Sequence, residues 1–170
     1  MKLIRNTVVI VTALFLTAGT AAADASRFSP PDSKRGAVKA CKRFRNTIRR
    51  INLSDEQKTT VADLLSSYLD SIEPYSEELS EARKNLYKDM YLPEGDFDEQ
   101  LIRVDFQATV GPKEEITVLQ AGLLSDLHDV LNPVQYMRLV KARVHLYNCT
   151  HAPIAISRRV LGGWIDQNGS

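Results

Sequence analysis

The residues best suited to chemistry stand near the C-terminal end: His145, Cys149 and His151. Imidazole and thiolate are natural zinc or nickel ligands. On a helix His145 and Cys149, four apart, share a face, and His151 can fold back toward them. Cys41, the only other cysteine, competes for Cys149. Two cysteines in an oxidising compartment favour pairing. Three states therefore stay open: a Cys41–Cys149 disulfide, two free or intermolecular thiols, and a metal site on His145, Cys149 and His151. His128 stands alone near a helix end and reads as structural. Serine, histidine and aspartate are all present, yet no nucleophile elbow or metalloprotease pair organises them. No glycine-rich GxxxxGK[ST] loop cradles a phosphate. Neither an enzyme nor a cofactor is expected.

The compartment is read from the N-terminus. Lys2 and Arg5 precede an apolar run from Val8 to Leu16, and small residues follow. Ala21-Ala22-Ala23 and Ala23-Asp24-Ala25 both fit an A-x-A cleavage site, so residues 1–23 read as a secretory signal. The apolar core is too short for the roughly 20 residues that span a bilayer, and no later stretch is apolar enough. No cysteine stands at the cleavage region, which argues against a lipoprotein. The expected organisation is a signal at 1–23, a flexible leader at 24–33, a helical domain at 34–149 and a flexible tail at 150–170. The expected location is the periplasm, with no membrane span after cleavage.

Charge is polarised along the chain. The full sequence has 22 basic and 21 acidic residues, net +1. Losing residues 1–23 removes Lys2 and Arg5 but no acid, leaving 20 against 21 and a net charge of about −1. Lys39, Lys42, Arg43, Arg45, Arg49 and Arg50 crowd one short segment, whereas 55–99 is mostly acidic. A basic segment can mark nucleic-acid binding. In an exported chain a solvated face, a lipid surface or an acidic client fits better, and these six residues are the candidate client surface.

These side chains must be positioned by helices, because no strand-like alternation of any length occurs. The first helix is expected over about 33–51, with Ala37, Cys41, Phe44, Ile48 and Ile51 on one stripe. The second runs over about 54–90. Val61, Leu65, Tyr68, Ile72, Tyr75, Leu79, Ala82 and Leu86 form a heptad-like seam suited to lengthwise packing. Pro74 should kink this helix without ending it. Leu92-Pro93-Glu94-Gly95 reads as a turn. Asp96 then caps a third helix with Glu99 as its box partner. Phe97, Leu101, Val104 and Ala108 carry its stripe, and Ile116, Leu119, Leu123, Leu127 and Val130 resume it beyond a kink at Gly111-Pro112. A fourth helix is expected over about 133–148, with Met137, Val140, Val144 and Tyr147 inward. The fold class is all-α.

One pattern occurs twice. Leu53-Ser54-Asp55-Glu56-Gln57 opens the second helix and Leu131-Asn132-Pro133-Val134-Gln135 opens the fourth. Ser54 and Asn132 are good N-caps for the unpaired amides of a first turn. Gln57 and Gln135 can reach back to the cap's own N–H. Pro133 occupies the first helical position, where its missing donor costs nothing.

This pair of boxes resembles the Leu-Thr-x-x-Gln boxes of the Spy/CpxP family of periplasmic stress proteins, with Ser54 and Asn132 in place of threonine. The resemblance spans roughly residues 34–148. It implies an elongated, bent four-helix hairpin that pairs into a cradle-shaped homodimer. It also implies an ATP-independent chaperone for unfolded or misfolded envelope proteins. The alternatives it carries are an inhibitory or sensory partner of a membrane stress kinase, and a metal-binding sensor or buffer. A single layer of hairpin leaves its long apolar stripes thinly covered, which also favours a second copy.

If the boxes meet at one end of the hairpin, as the resemblance implies, the first and fourth helices flank that end. At 1.5 Å per residue Cys41 then lies about 18 Å from its box and Cys149 about 27 Å. The offset of about 9 Å exceeds the roughly 7 Å that a disulfide spans between Cα atoms. Bonding therefore needs a bend at Ile51-Asn52 or looser chain beyond Tyr147.

Overall fold

Apolar spacing of three and four residues dominates from Lys34 onward, and the chain folds accordingly. The computed structural model describes residues 34–91 and 96–170. The expected signal, the leader and the 92–95 turn lie outside the described residues. The helices are α1 (Lys34–Arg50), α2 (Asp55–Tyr91), α3 (Glu99–Ala108), α4 (Val110–Val130), α5 (Pro133–Lys141), α6 (Arg143–Thr150) and α7 (Ile154–Asn168). The described residues contain no strand, so the chain is all-α.

α1 buries Ala37, Cys41, Phe44 and Ile48, the stripe expected for it. α2 runs unbroken through Pro74, whose missing donor falls on the exposed side. Its seam buries Val61, Leu65, Tyr68, Ile72, Leu79 and Ala82. α3 and α4 run back along α2. They meet at Thr109, which stays close to helical geometry at φ −82° and ψ −13°. Its amide donates to the Phe106 carbonyl at 3.0 Å, so the interruption before Pro112 is a kink.

Three local expectations are corrected. The cap of α3 is Asp98, not Asp96: Asp98 Oδ1 accepts from the amides of Gln100 at 2.9 Å and Leu101 at 3.1 Å. Glu99 pairs with Arg103 one turn on rather than closing a box. The stripe Phe97, Leu101, Val104 and Ala108 faces away from α2, and α3 has no buried residue.

The expected fourth helix is two helices joined at Ala142, whose amide donates to the Leu139 carbonyl at 2.9 Å. Its inward residues are Gln135, Leu139, Ala142, Leu146 and Cys149, while Met137 and Val144 are exposed. Gln135 sets this rotation. Its amide is drawn inward by a polar network described below, and residues four, seven and eleven positions later follow it onto the same face.

The tail is not flexible chain. α7 buries Ile154, Ile156, Ser157, Val160, Leu161 and Trp164. It packs between α1 and α2. Ser76 Oγ donates to the Ala152 carbonyl at 3.3 Å just before it begins. The Ser170 amide donates to Asp63 Oδ1 at 3.0 Å just after it ends. Gly162 and Gly163 each cost a helix interior about 1 kcal/mol. Burial of a Trp and several branched side chains outweighs that, at about 1.5–3 kcal/mol each. Arg158 adds ion pairs at 2.8 Å to Asp70 and to Glu73 of α2.

The result is asymmetric. α7 and α6 pack on α2, α5 and α6 on α4, and α1 packs on α5, α6 and α7 rather than on α2 or α4. Toward the end of the hairpin, from residue 88 of α2 through α3, the described residues include no buried side chain.

Candidate functional site

The two boxes meet. Ser54 Oγ accepts from the Gln57 amide at 3.2 Å, and Gln57 Oε1 accepts from the Ser54 amide at 3.1 Å. Asn132 Oδ1 accepts from the Gln135 amide at 3.0 Å, and Gln135 Oε1 accepts from the Asn132 amide at 3.0 Å. Both are complete capping boxes. The glutamines also cross-link the boxes. Each side-chain NH2 donates to the other's Oε1 at 3.1 Å. The second hydrogen of Gln57 goes to the Val130 carbonyl at 2.9 Å, and that of Gln135 to the Asn52 carbonyl at 3.0 Å. Asn52 has φ 55°, a left-handed geometry that asparagine tolerates. Leu53 and Leu131 lie buried beneath the junction.

Cys41 and Cys149 form a disulfide with Cα atoms 4.8 Å apart, both sulfurs fully buried. The expected axial offset does not keep the two cysteines apart; the chain turns at Ile51-Asn52, where Asn52 has φ 55°, and the helix breaks at Ala142. The chain beyond Tyr147 remains helical to Thr150, so it does not supply the slack. This bond corrects the candidate ligand set. The sulfur of Cys149 is bonded to carbon and sulfur and is no thiolate. Burial, and then the charge of Arg43, lower the His145 pKa. Among the described residues no three metal-ligating side chains converge.

His151 lies 2% exposed, its ring stacked on Tyr147 at 3.8 Å between centroids. Its Nδ1 is 3.0 Å from the Tyr147 carbonyl. Arg83 donates to the His151 carbonyl at 2.7 Å. Burial pushes the imidazole down to about 4. His151 and Arg83 edge a pocket of about 230 Å³ with Lys34, Ser76 and Tyr87.

The basic candidates divide. Lys39, Lys42, Arg43, Arg49 and Arg50 are exposed along α1. Arg45 is half-buried and donates to the Val160 carbonyl of α7 at 3.2 Å, so it clamps the tail rather than facing a client.

Apolar surface is concentrated elsewhere. Phe97 is 78% exposed, Val104 55% and Leu101 44%. Met90 and Tyr91 lie exposed at the end of α2, with Tyr91 stacked on Tyr87. A groove of about 350 Å³ between α2 and α4 is lined by Leu64, Tyr68, Val118, Leu119 and Leu123. Asp89 of α2 beside Asp105, on the inner side of α3, raises the Asp105 carboxyl pKa.

The outward α3 stripe was missed as a site because an apolar stripe looks the same in sequence whether it turns inward or outward. The pocket at His151 depends on the path of α7. No helix of the described residues is long and apolar enough to cross a membrane. No protein-family model, no curated protein and no solved structure matches the chain.

Proposed function

We propose that the chain is a non-enzymatic, ATP-independent chaperone of the periplasm that holds unfolding envelope proteins and works as a homodimer. The observation that carries this reading is the outward stripe of Phe97, Leu101, Val104 and Ala108 on α3. Contiguous exposed apolar surface marks an interaction site. Here it sits among charges from Glu99, Arg103 and Lys88. Unfolding proteins offer the complementary mixture of apolar segments and charge. Holding them needs only burial, worth about 25 cal/mol per Å², and no nucleotide cycle.

The amide-linked boxes support the same reading through their resemblance to the Spy/CpxP family. They lock one end of the hairpin, so its far end can present apolar residues without loosening the fold. A second copy would share that far end, since α7 already covers the near half.

The test is aggregation of an unrelated denaturing client, without ATP, in the presence of the purified chain. Suppression near stoichiometric ratio is expected. Complete inactivity would overturn the chaperone reading and favour an inhibitory partner of a membrane stress kinase, which would use the same scaffold.

A further inference from the structure

The cations of α1 ask for an account that folding does not provide. α1 has no acidic residue, and Lys34 and Arg35 open it, where the helix dipole favours anions instead. Arg35 and Lys39, and Lys39 and Arg43, stand four apart, the spacing at which like charges repel along a helix. No carboxylate of a described residue forms an ion pair with the exposed α1 cations. The neighbouring α5 and α6 contain no acid either. The hairpin of α2, α3 and α4 carries most of the carboxylates along its whole length, so charge is divided between a cationic α1 and an acidic hairpin.

We propose that the outer face of α1, through Arg35, Lys39, Lys42, Arg43, Arg49 and Arg50, docks on the phosphate headgroups of an anionic lipid bilayer. The face is broad: 17 residues make a helix of about 25 Å at 1.5 Å per residue. Its groove of about 470 Å³ is shallow and bordered by Lys39, Lys42 and Arg43. Charge is spread along it rather than converging on one point, as suits a plane of headgroups. A protein partner would be anchored by buried aromatic or aliphatic side chains, and no large apolar side chain of α1 is exposed. This separates the face from the apolar α3 stripe and makes the inference independent of chaperone activity. A protein bound this way keeps its acidic hairpin on the side turned from the headgroups, because α7 lies between α1 and α2.

The test is co-sedimentation of the chain from Asp24 onward, which retains every core residue described above, with vesicles. Binding is expected to phosphatidylglycerol-containing vesicles, weak binding to pure phosphatidylcholine, and loss of the difference in high salt. Each Lys or Arg at a surface contributes about fivefold to partition, so K39Q/K42Q/R43Q should lower it about a hundredfold. Circular dichroism establishes that the variant is folded. The control K58Q/K84Q/R103Q removes as many charges from the hairpin and should bind as the parent does. Equal losses in both variants would overturn the proposal in favour of net charge alone. Equal binding to both vesicle types would overturn it outright. Binding to duplex DNA or polyglutamate, with no preference for anionic vesicles, would assign the face to another polyanion.

Discussion

Gln57 and Gln135, 78 residues apart, exchange two side-chain hydrogen bonds of 3.1 Å, each amide donating to the other's oxygen. With the cap amides and the Val130 and Asn52 carbonyls, every donor of both side chains is used and each Oε1 accepts twice. A network satisfied this fully is sensitive to the loss of any member. Q135A should destabilise by about 1–3 kcal/mol, because Gln135 is buried and leaves partners unpaired. Q57A should cost about 0.5–2 kcal/mol. Denaturant unfolding of both singles and the double gives the coupling, expected at about 0.5–3 kcal/mol. Additive losses, or unchanged stability with client binding abolished, would contradict a structural role for the pair.

Cys41 and Cys149 close a loop across a sequence separation of 108. In the chain-entropy model such a clamp is worth up to about 4–5 kcal/mol. It ties α1 to α6 where α7 packs over both, with Ser157 Oγ donating to the Cys149 carbonyl at 2.8 Å. Oxidised protein should show no free thiol by mass analysis without reductant. C41A/C149A should lose several kcal/mol by denaturant melt and should lose its sensitivity to reductant. Two titratable thiols in native protein would remove the clamp.

Trp164 is the only tryptophan of the chain and lies buried on α7. Its fluorescence should therefore be blue-shifted in the native state and should report α7 docking directly. W164A should cost about 3–5 kcal/mol, and removing residues 154–170 should expose α1 and α2 together and abolish cooperative unfolding. A red-shifted native emission with a neutral W164A would mean that the tail does not pack.

The contrast between α2 and α7 shows what local pattern decides. The α2 seam keeps its phase for so many turns that one Pro74 cannot outvote it. In α7 the breakers Pro153, Gly162 and Gly163 are loud locally, while Ile154, Val160 and Trp164 gain their weight only against α1 and α2. Rotation of α5 and α6 was equally illegible. Met137 and Val140 make as good a stripe as Leu139 and Leu146, and Gln135 chooses between them through a partner 78 residues away. The boxes themselves could be read, since capping is local chemistry. Their cross-link could not.

His151 gives the fold a pH dependence. Burial holds its imidazole at about 4, below the ordinary value near 6.5. Between those values the unfolded chain binds the extra proton. Stability is therefore full above about pH 6.5, falls as pH falls, and is lost through about pH 4. The contribution is on the order of 3 kcal/mol. The neighbouring charges of Arg83 and Lys113 act in the same direction. H151Q should be less stable at neutral pH, yet should lose less between about pH 7 and pH 4 than the parent. Identical slopes in the two proteins would show that His151 is not the buried neutral group.

The α3 stripe separates stability from interaction. Phe97, Leu101 and Val104 are exposed in the single chain, so polar replacements there remove little burial and should change stability by no more than about 0.5 kcal/mol each. F97S/L101S/V104S should therefore fold normally and fail to suppress aggregation. Light scattering then divides two uses of the same surface. If the stripe joins two copies, the parent's Tm should depend on concentration, and the variant should be monomeric with a Tm that does not. If the dimer survives while suppression is lost, the stripe touches clients directly and the copies meet elsewhere. A variant that still dimerises and still suppresses aggregation would deny the stripe either role, and with it the main support for a holding function.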